Sequence, residues 1–161
     1  QPIPTTVVQA IDYGIVPNDG KDDAKALQTL INNLPQTGVV EVRLPIGEIE
    51  LFQPLEINRS QTLIVGEGTQ GTILHSYLKP PVSTVLKIQP KSSQDSLIGI
   101  ELRDFAIKAA HSDFNQLASS IHIEELQKGI LRNLSLQVGQ KSALTLVETN
   151  NMRVEYVATG I

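Results

Sequence analysis

Three short segments of the sequence each place one polar side chain between two apolar ones, and two of these polar side chains could exchange protons. The central residues are Lys87, His122 and Thr145. Imidazole is well suited to acid–base work near neutral pH, and a lysine amine can serve as a base. If the segments stack in register, the three side chains form a ladder on one face. We therefore take Lys87, His122 and the nearby acid Glu124 as candidate catalytic residues, with a surface ladder of no catalytic role as the alternative.

Acidic side chains are the second group that could do chemistry. Cleavage of a glycosidic bond normally needs two carboxylates that flank the scissile bond, one of them as the general acid. The alternating pattern places Glu101, Glu124 and Glu155 on the outer face of predicted strands. Each of them is equally typical of a solvated surface charge, so the acids alone do not establish an active site.

Two loop segments also carry polar groups. His111 and Asp113 lie in residues 109–118, which we interpret as an inserted loop or a short helical turn. Loops on a rigid scaffold often carry function. The turn at residues 19–23 holds three aspartates but lacks the alternating oxygen ligands and the distal glutamate of an EF-hand loop. We therefore interpret these aspartates as turn and helix-capping residues and predict no bound metal.

The composition excludes several classes of protein. The chain has 161 residues, a net charge of −4 and no cysteine, so disulfides and thiolate metal sites are excluded. Lys and Arg are scattered without a basic run, and no apolar run is long enough to cross a membrane. We expect neither nucleic acid nor a membrane as a partner. Aromatic residues make up only 4% of the chain, which weakens the case for an aromatic platform that stacks on sugars.

One segment has the periodicity of an α-helix. Asp22 is a suitable N-cap, and Asp23 adds negative charge at the positive end of the helix dipole. Pro35 and Gly38 end the pattern, so we predict a helix over residues 23–33. The apolar residues that recur at helical spacing and form one stripe are Ala24, Leu27, Leu30, Ile31 and Leu34.

After the helix the apolar residues alternate with period two, and two series of short strands repeat along the chain. Each member of the second series directly follows Asp104, Asn133 or Asn151, residue types that tolerate unusual backbone angles. Repeated strands and polar turns are typical of a solenoid, whose stacked coils bury one continuous core. An irregular β-sandwich is the alternative. The first series is Leu86–Ile88, Ile121–Ile123 and Leu144–Leu146, and the second is Phe105–Ile107, Leu134–Leu136 and Met152–Val154.

Five motifs in the N-terminal third occur in a recognisable order. They are the aspartate-rich turn Asp19–Asp23, the predicted helix, Gly38, Leu44–Gly47 and Gly66–Gly68. In this order they resemble the opening of pectate-lyase-like β-helix proteins, in which a capping helix, a glycine turn, Leu-Pro-x-Gly and a strand ending in Gly-x-Gly follow such a turn. The resemblance covers residues 10–70. Each motif is weak alone, whereas five in the right order are specific.

The resemblance implies an all-β fold, a right-handed parallel β-helix (solenoid) with an N-terminal capping α-helix. An uncovered solenoid end exposes core residues and strand edges, so the physics favours the same cap. We expect one domain over residues 1–161, with the lead-in and capping helix in 1–37 and the β-coils in 38–161. Because Thr159–Ile161 resembles the start of another coil, we expect the N-terminal part of a longer protein that self-associates through an open C-terminal end.

The resemblance also implies a polysaccharide as partner, because the superfamily includes polysaccharide lyases, glycoside hydrolases, epimerases and phage tailspikes. The polygalacturonase motifs Asn-Thr-Asp, Gly-His-Gly and Arg-Ile-Lys are not found in plausible positions. We therefore expect a polysaccharide-associated module, the N-terminal segment of a lyase or hydrolase, without a complete active site of its own. The alternatives are a small complete carbohydrate-active enzyme that uses Lys87 and His122, and a structural or adhesion part of a tailspike or surface protein.

The sequence contains only weak indications of a cofactor and of the location of the protein. We predict no cofactor, with calcium an option only for a lyase. The chain opens with Gln1 rather than Met, and the removal of a signal peptide or of a tag would each account for this. Removal of a signal peptide would place the protein outside the cell or on its surface, which is the location we expect.

Overall fold

Strands dominate the structure, a computed structural model that describes residues 3–92, 95–111 and 114–160. Asp113 and Ile161, for which the sequence predicts a loop and the start of a further coil, lie outside the described residues. One α-helix, α1 (Ala24–Asn32), follows a short 3-10 turn at Ala10–Tyr13 in the described chain. The strands are β1 (Thr6–Gln9), β2 (Val40–Arg43), β3 (Gly47–Leu51), β4 (Leu55–Ile57), β5 (Thr62–Val65), β6 (Thr72–Ser76), β7 (Thr84–Ile88), β8 (Ile100–Ala109), β9 (Ser119–Glu124), β10 (Gly129–Gln137), β11 (Leu144–Val147) and β12 (Met152–Thr159).

Parallel pairing arranges these strands in three stacks. The first stack runs β1, β2, β5, β8, β10 and β12, and the third runs β4, β7, β9 and β11. The second stack begins with β3 and β6 and continues in the later halves of β8, β10 and β12. Residues from successive passes of the chain therefore lie side by side in register. The described chain is mostly β, with parallel sheets and one α-helix, which is consistent with a parallel β-helix.

The long strands bend where a polar residue has left-handed backbone geometry. Asp104 (φ 65°) divides β8 and Asn133 (φ 51°) divides β10, so each strand belongs to two stacks. The side-chain amide of Asn133 donates a hydrogen bond to Asp104 Oδ1 at 2.9 Å, which links the two bends. Asn and Asp adopt this conformation more readily than other residues with a Cβ. The turn geometry predicted for Asp104, Asn133 and Asn151 (φ 56°) is confirmed.

The register predicted from the repeats is confirmed for most members. In the third stack Ile121 pairs with Leu86 on one side and with Leu144 on the other, as the first series requires. In the second stack Leu134 pairs with Phe105, as the second series requires.

The predicted pairing of Met152–Val154, the third segment of the second series, with Leu134–Leu136 is wrong. Met152 pairs with Gly129 in the first stack, and the partner of Leu134 is Val157. The physical reason is that β12 bends at Tyr156 (φ 53°), at the position that Asn133 occupies in β10. Tyrosine is not typical of such a bend. The prediction therefore relied on Asn151, which precedes Met152 in the way that Asn133 precedes Leu134.

Residues before and within α1 cover the strand edges at the start of the stacks. The side-chain amide of Gln28 donates to the backbone carbonyl of Glu56 at 2.9 Å and accepts from its N–H at 2.8 Å. The Gln28 side chain thus forms the two hydrogen bonds that a neighbouring strand would form with Glu56 at this edge of β4. Asp22 forms an isolated parallel bridge with Glu50 of β3, and β1 pairs with β2. Covered edges of this kind prevent edge-to-edge association.

The apolar stripe predicted for the helix is buried, and α1 is one residue shorter at each end than predicted. Helix ends commonly differ by this much. Asp22 Oδ1 accepts hydrogen bonds from the N–H groups of Ala24 at 2.9 Å and Phe52 at 3.0 Å, so it joins the helix start to the end of β3. No described helix has the length and apolar character needed to cross a membrane.

Asp23 is buried at the start of α1. The residue is only 3% exposed, and its Oδ1 accepts a hydrogen bond from the N–H of Val16 at 3.1 Å. Its Oδ2 has no hydrogen-bond partner among the described residues. Burial raises the pKa of Asp23 above the ordinary value of 3.8, because the charged form loses hydration. The folded state therefore favours the neutral carboxyl more than the unfolded chain does.

We expect Asp23→Asn to raise the Tm most at neutral pH and least in acid. The neutral carboxyl stabilises the folded state below the ordinary pKa, and this contribution is lost as pH rises through the raised folded-state pKa. The amide cannot ionise and keeps its contribution. Thermal unfolding of both proteins from acid to neutral pH measures the difference. A Tm difference that shrinks toward neutral pH would contradict the argument.

Candidate functional site

β3 and β6 lie side by side and present polar side chains on the outer face of the second stack. β3 presents Glu48 and Glu50, and Ile49 between them is fully buried. β6 presents His75, the register partner of Glu50, while Leu74 before it is buried. Successive side chains of a strand point to opposite faces, so the buried neighbours hold the polar groups on the outer face.

The imidazole of His75 faces both carboxylates. Its Nδ1 lies 3.3 Å from Oε2 of Glu50 and 3.7 Å from Oε2 of Glu48. The side chain of Glu50 is only 5% exposed, whereas that of Glu48 is 49% exposed. Among the described residues, neither Nδ1 of His75 nor Oε2 of Glu50 has a hydrogen-bond partner. The three groups form a tight cluster in which the buried carboxylate is not fully satisfied.

Tyr77 follows β6 and continues its outer face. A hydrogen bond with the Glu50 side chain, together with partial burial, raises the pKa of the Tyr77 phenol. The phenol therefore stays protonated at neutral pH and acts as a hydrogen-bond donor rather than as a base. Its ring stacks on Phe52, with the ring centroids 4.4 Å apart and the planes at 6°. We call the side chains of Glu48, Glu50, Phe52, His75 and Tyr77 the β3/β6 surface.

Two further rings extend this surface. The ring centroid of Tyr77 lies 6.1 Å from that of His111 and 5.6 Å from that of Phe114. The amine of Lys79 lies 4.9 Å from the Phe114 centroid, within cation–π range. The low aromatic content argued against such a cluster, but folding gathers two of the three Phe and one of the three Tyr at this place.

A row of polar residues crosses the second stack at the same level. Glu50 lies between Asp22 and His75 in register, and Lys108 of β8 is the next partner of His75. Gln137 of β10 follows Lys108. The row adds a cation beside the imidazole, so the surface carries both signs of charge.

The predicted ladder lies in the third stack. His122 is the register partner of Lys87 on one side and of Thr145 on the other. His122 Nε2 lies 2.7 Å from Oε1 of Glu124, so two of the candidate catalytic residues are in contact. All of them are on a different sheet from His75. Their catalytic role stays a prediction.

The expectation that Glu101 is a solvated surface charge is wrong. Glu101 is 2% exposed, and its Oε2 accepts a hydrogen bond from Arg103 Nε at 2.8 Å. It lies on the outer face, where its register partners are Leu63 and Ile130, and side chains of adjacent strands cover it. Glu155 is half-buried and pairs with Arg153 at 2.9 Å.

Sequence reasoning missed Glu48, Glu50, His75 and Tyr77. Each lies at an outward position of an alternating segment, and that alternation was the one signal in the sequence. The signal does not identify which strands pair, so it could not bring the carboxylates to the imidazole. Of the two loop residues, His111 lies beside Tyr77, and Asp113 is outside the described residues.

No protein-family model and no curated protein matches the sequence. Solved structures do match. The A-module of mannuronan C-5 epimerase AlgE6 of Azotobacter vinelandii has a TM-score of 0.76 and 14% identity, over 95% of this chain and 44% of that one. ORF18 of Geobacillus virus E2 has a TM-score of 0.73 and 19% identity, over 83% and 26%. An iota-carrageenase complexed to iota-carrageenan fragments has a TM-score of 0.66 and 15% identity, over 99% and 39%.

The chain spans between 26% and 44% of the length of these three proteins. At identities of 14% to 19% the likeness concerns the fold. It agrees with the parallel pairing and the single described helix. In its fold, the chain is similar to the pectate-lyase-like right-handed β-helix proteins.

Proposed function

We propose that this chain is a module that binds an acidic polysaccharide along the β3/β6 surface. In this proposal the chain is a right-handed parallel β-helix, and α1 caps its N-terminal end. The observation that carries the binding proposal is the stacked pair Phe52–Tyr77, which lies directly beside the cluster of Glu50 and His75.

The chemistry of this surface suits a sugar chain. Exposed rings offer apolar faces to the C–H groups of a sugar, and Phe52 is 46% exposed. Imidazole and carboxylate groups next to the rings can hydrogen-bond to hydroxyl groups. Lys79 and Lys108 lie at the margins and can attract carboxylate or sulfate groups. Two of the similar structures support this substrate class, because they are an epimerase named for mannuronan and a carrageenase complexed to iota-carrageenan fragments.

We propose that the chain lacks a complete active site and is the N-terminal segment of a polysaccharide lyase or glycoside hydrolase. Glu48 and Glu50 are on one strand and both face His75, whereas hydrolysis needs two carboxylates on opposite sides of a bond. The raised pKa of Tyr77 opposes a role as the base of a lyase.

A second candidate function is that of a small complete enzyme with Lys87, His122 and Glu124 as its site. The contact between His122 and Glu124 at 2.7 Å favours it, because an acid–base histidine is commonly oriented by a carboxylate. Under this alternative, His122→Ala should reduce turnover of pectin or alginate by on the order of 10²–10⁴-fold. Product absorbance and reducing-end release measure the turnover.

We propose that the protein is located outside the cell or on its surface, where polysaccharides occur. We also expect self-association through the last coil, which exposes Leu146 (37%) and Val154 (46%). Sedimentation at increasing concentration tests the association, and a monomer throughout would exclude it.

We expect Tyr77→Ala to weaken binding of alginate or carrageenan oligosaccharides by about tenfold or more, the loss typical of a central aromatic contact. Tyr156→Ala is the matched control, because Tyr156 is 81% exposed and lies on the last strand. Calorimetry with oligosaccharides of both kinds and with a neutral β-glucan measures the affinities. Binding that is unaffected by Tyr77→Ala, or lost in both variants, would place the saccharide elsewhere.

A further inference from the structure

The cluster of Glu48, Glu50 and His75 has the composition of a metal site. Its three potential ligand atoms lie within 4.8 Å of one another. Two carboxylate oxygens and one imidazole nitrogen are common ligands of first-row divalent transition metals. The hard cations Ca²⁺ and Mg²⁺ prefer oxygen ligands alone.

Glu50 provides a second observation that points to a ligand at this cluster. Its side chain is 5% exposed, and its Oε2 has no hydrogen-bond partner among the described residues. That oxygen points at His75 Nδ1, which is also without a hydrogen-bond partner in the described chain. A buried carboxylate oxygen with no donor is unfavourable, and a cation between the two atoms would satisfy both.

The distance between His75 and Glu50 fits a tetrahedral ion, and the distance between His75 and Glu48 is slightly longer. Ligand atoms about 2.0–2.1 Å from a tetrahedral Zn²⁺ are about 3.3 Å from one another. Nδ1 of His75 lies 3.3 Å from Oε2 of Glu50 and 3.7 Å from Oε2 of Glu48. Rotation of the exposed Glu48 side chain can shorten the longer distance without movement of the strands.

The positions of the ligands are fixed by the core. Glu48 and Glu50 flank the fully buried Ile49, and His75 lies between the buried Leu74 and Ser76. Asp22 is the neighbour of Glu50 in register, but its Oδ1 already accepts two backbone N–H groups. Three protein ligands leave a fourth coordination position open, as in catalytic rather than structural zinc sites.

We propose that Glu48, Glu50 and His75 bind one divalent transition-metal ion of the Zn²⁺ class. The sequence predicted no metal, because the ligands belong to strands from different passes of the chain. The inference does not depend on saccharide binding, and its test uses the metal alone.

The experiment is a calorimetric titration of the chelator-treated chain with Zn²⁺, with Mg²⁺ as the hard-cation comparison. We expect saturable binding of one Zn²⁺ per chain and no comparable binding of Mg²⁺. His75→Gln and Glu48→Gln should each weaken Zn²⁺ binding by at least the roughly 10–100-fold that loss of an outer-shell partner costs. Because Glu48 is on the surface, Glu48→Gln leaves a folded protein even if His75→Gln does not.

The matched control is His122→Gln, since His122 also contacts a glutamate but only one. We expect its Zn²⁺ affinity to equal that of the unaltered chain. Co²⁺ in place of Zn²⁺ should give the intense visible absorption of a four-coordinate ion, and this band should be lost in His75→Gln. Absence of saturable binding, or binding that depends on His122 instead, would overturn the proposal and leave His75 in an ion pair with the two carboxylates.

Discussion

Leu30→Asp is expected to abolish the folded state. Leu30 lies in the last turn of α1, is 6% exposed and belongs to the main core cluster. Burial of an unpaired carboxylate in an apolar site costs several kcal/mol, and a domain is stable by only about 5–15 kcal/mol in total. The variant must either expose the first coil or lose α1, and both uncover strand edges. Circular dichroism and thermal unfolding measure the loss.

The matched control is Thr29→Asp on the exposed side of the same helix. A surface substitution of this kind usually changes the free energy of unfolding by about 0.5 kcal/mol or less. If Leu30→Asp and Thr29→Asp both unfold at the Tm of the unaltered chain, α1 is not a cap. In that case the helix would not be needed to close the N-terminal end of the stacks.

Arg103→Met should lower the free energy of unfolding by about 3–5 kcal/mol, the usual cost of leaving a buried charge unpaired. Arg103 Nε donates to Glu101 at 2.8 Å, and its Nη1 donates to Asp104 at 3.1 Å. It also lies 3.7 Å from Glu41, which is 4% exposed. One guanidinium thus serves two buried carboxylates. Chemical denaturation of both proteins measures the difference.

The ion pairs also account for the charge state of Arg103. Burial alone would lower the pKa of its guanidinium, but hydrogen bonds to Glu101 and Asp104 outweigh this and raise the pKa. Arg153→Met is the control, because Arg153 is 71% exposed and pairs with Glu155 at 2.9 Å. Exposed pairs contribute roughly 0–1 kcal/mol, so this variant should be nearly as stable as the unaltered chain.

A double-mutant cycle identifies the source of the effect. The variant that combines Arg103→Met with Glu101→Gln should recover part of the lost stability, because the neutral amide no longer needs a counter-charge. Equal losses in Arg103→Met and Arg153→Met would mean that burial of the ion pairs does not determine the effect.

Local rules of the sequence determined most of the fold. The helical stripe around Leu30 and the period of two after Gly38 follow from which side chains must be buried. The left-handed bends at Asp104 and Asn133 follow from the backbone preferences of those residue types. Where such signals repeat along the chain, as for Leu86 and Ile121, they also predicted which strands lie side by side.

The predicted register was wrong for β12, where the chain bends at a residue other than Asn or Asp. Tyr156 takes the position in β12 that Asn133 takes in β10, so the local likeness of Asn151 to Asn133 predicted the wrong partner for Met152. A tyrosine in left-handed geometry is held there by the pairing of the whole strand with β10. Only the tertiary structure contains that information.

The candidate site depended on tertiary structure throughout. Glu50 and His75 are on strands from successive passes of the chain, and Tyr77, whose phenol pKa the Glu50 side chain raises, adds a third residue whose role no local pattern indicates. The same holds for Glu101, which the alternation placed on the outer face but which neighbouring side chains bury. Alternation predicts the face on which a side chain lies. Its burial, its charge partners and its chemistry are decided by the coils stacked on either side, because those coils supply the neighbouring atoms.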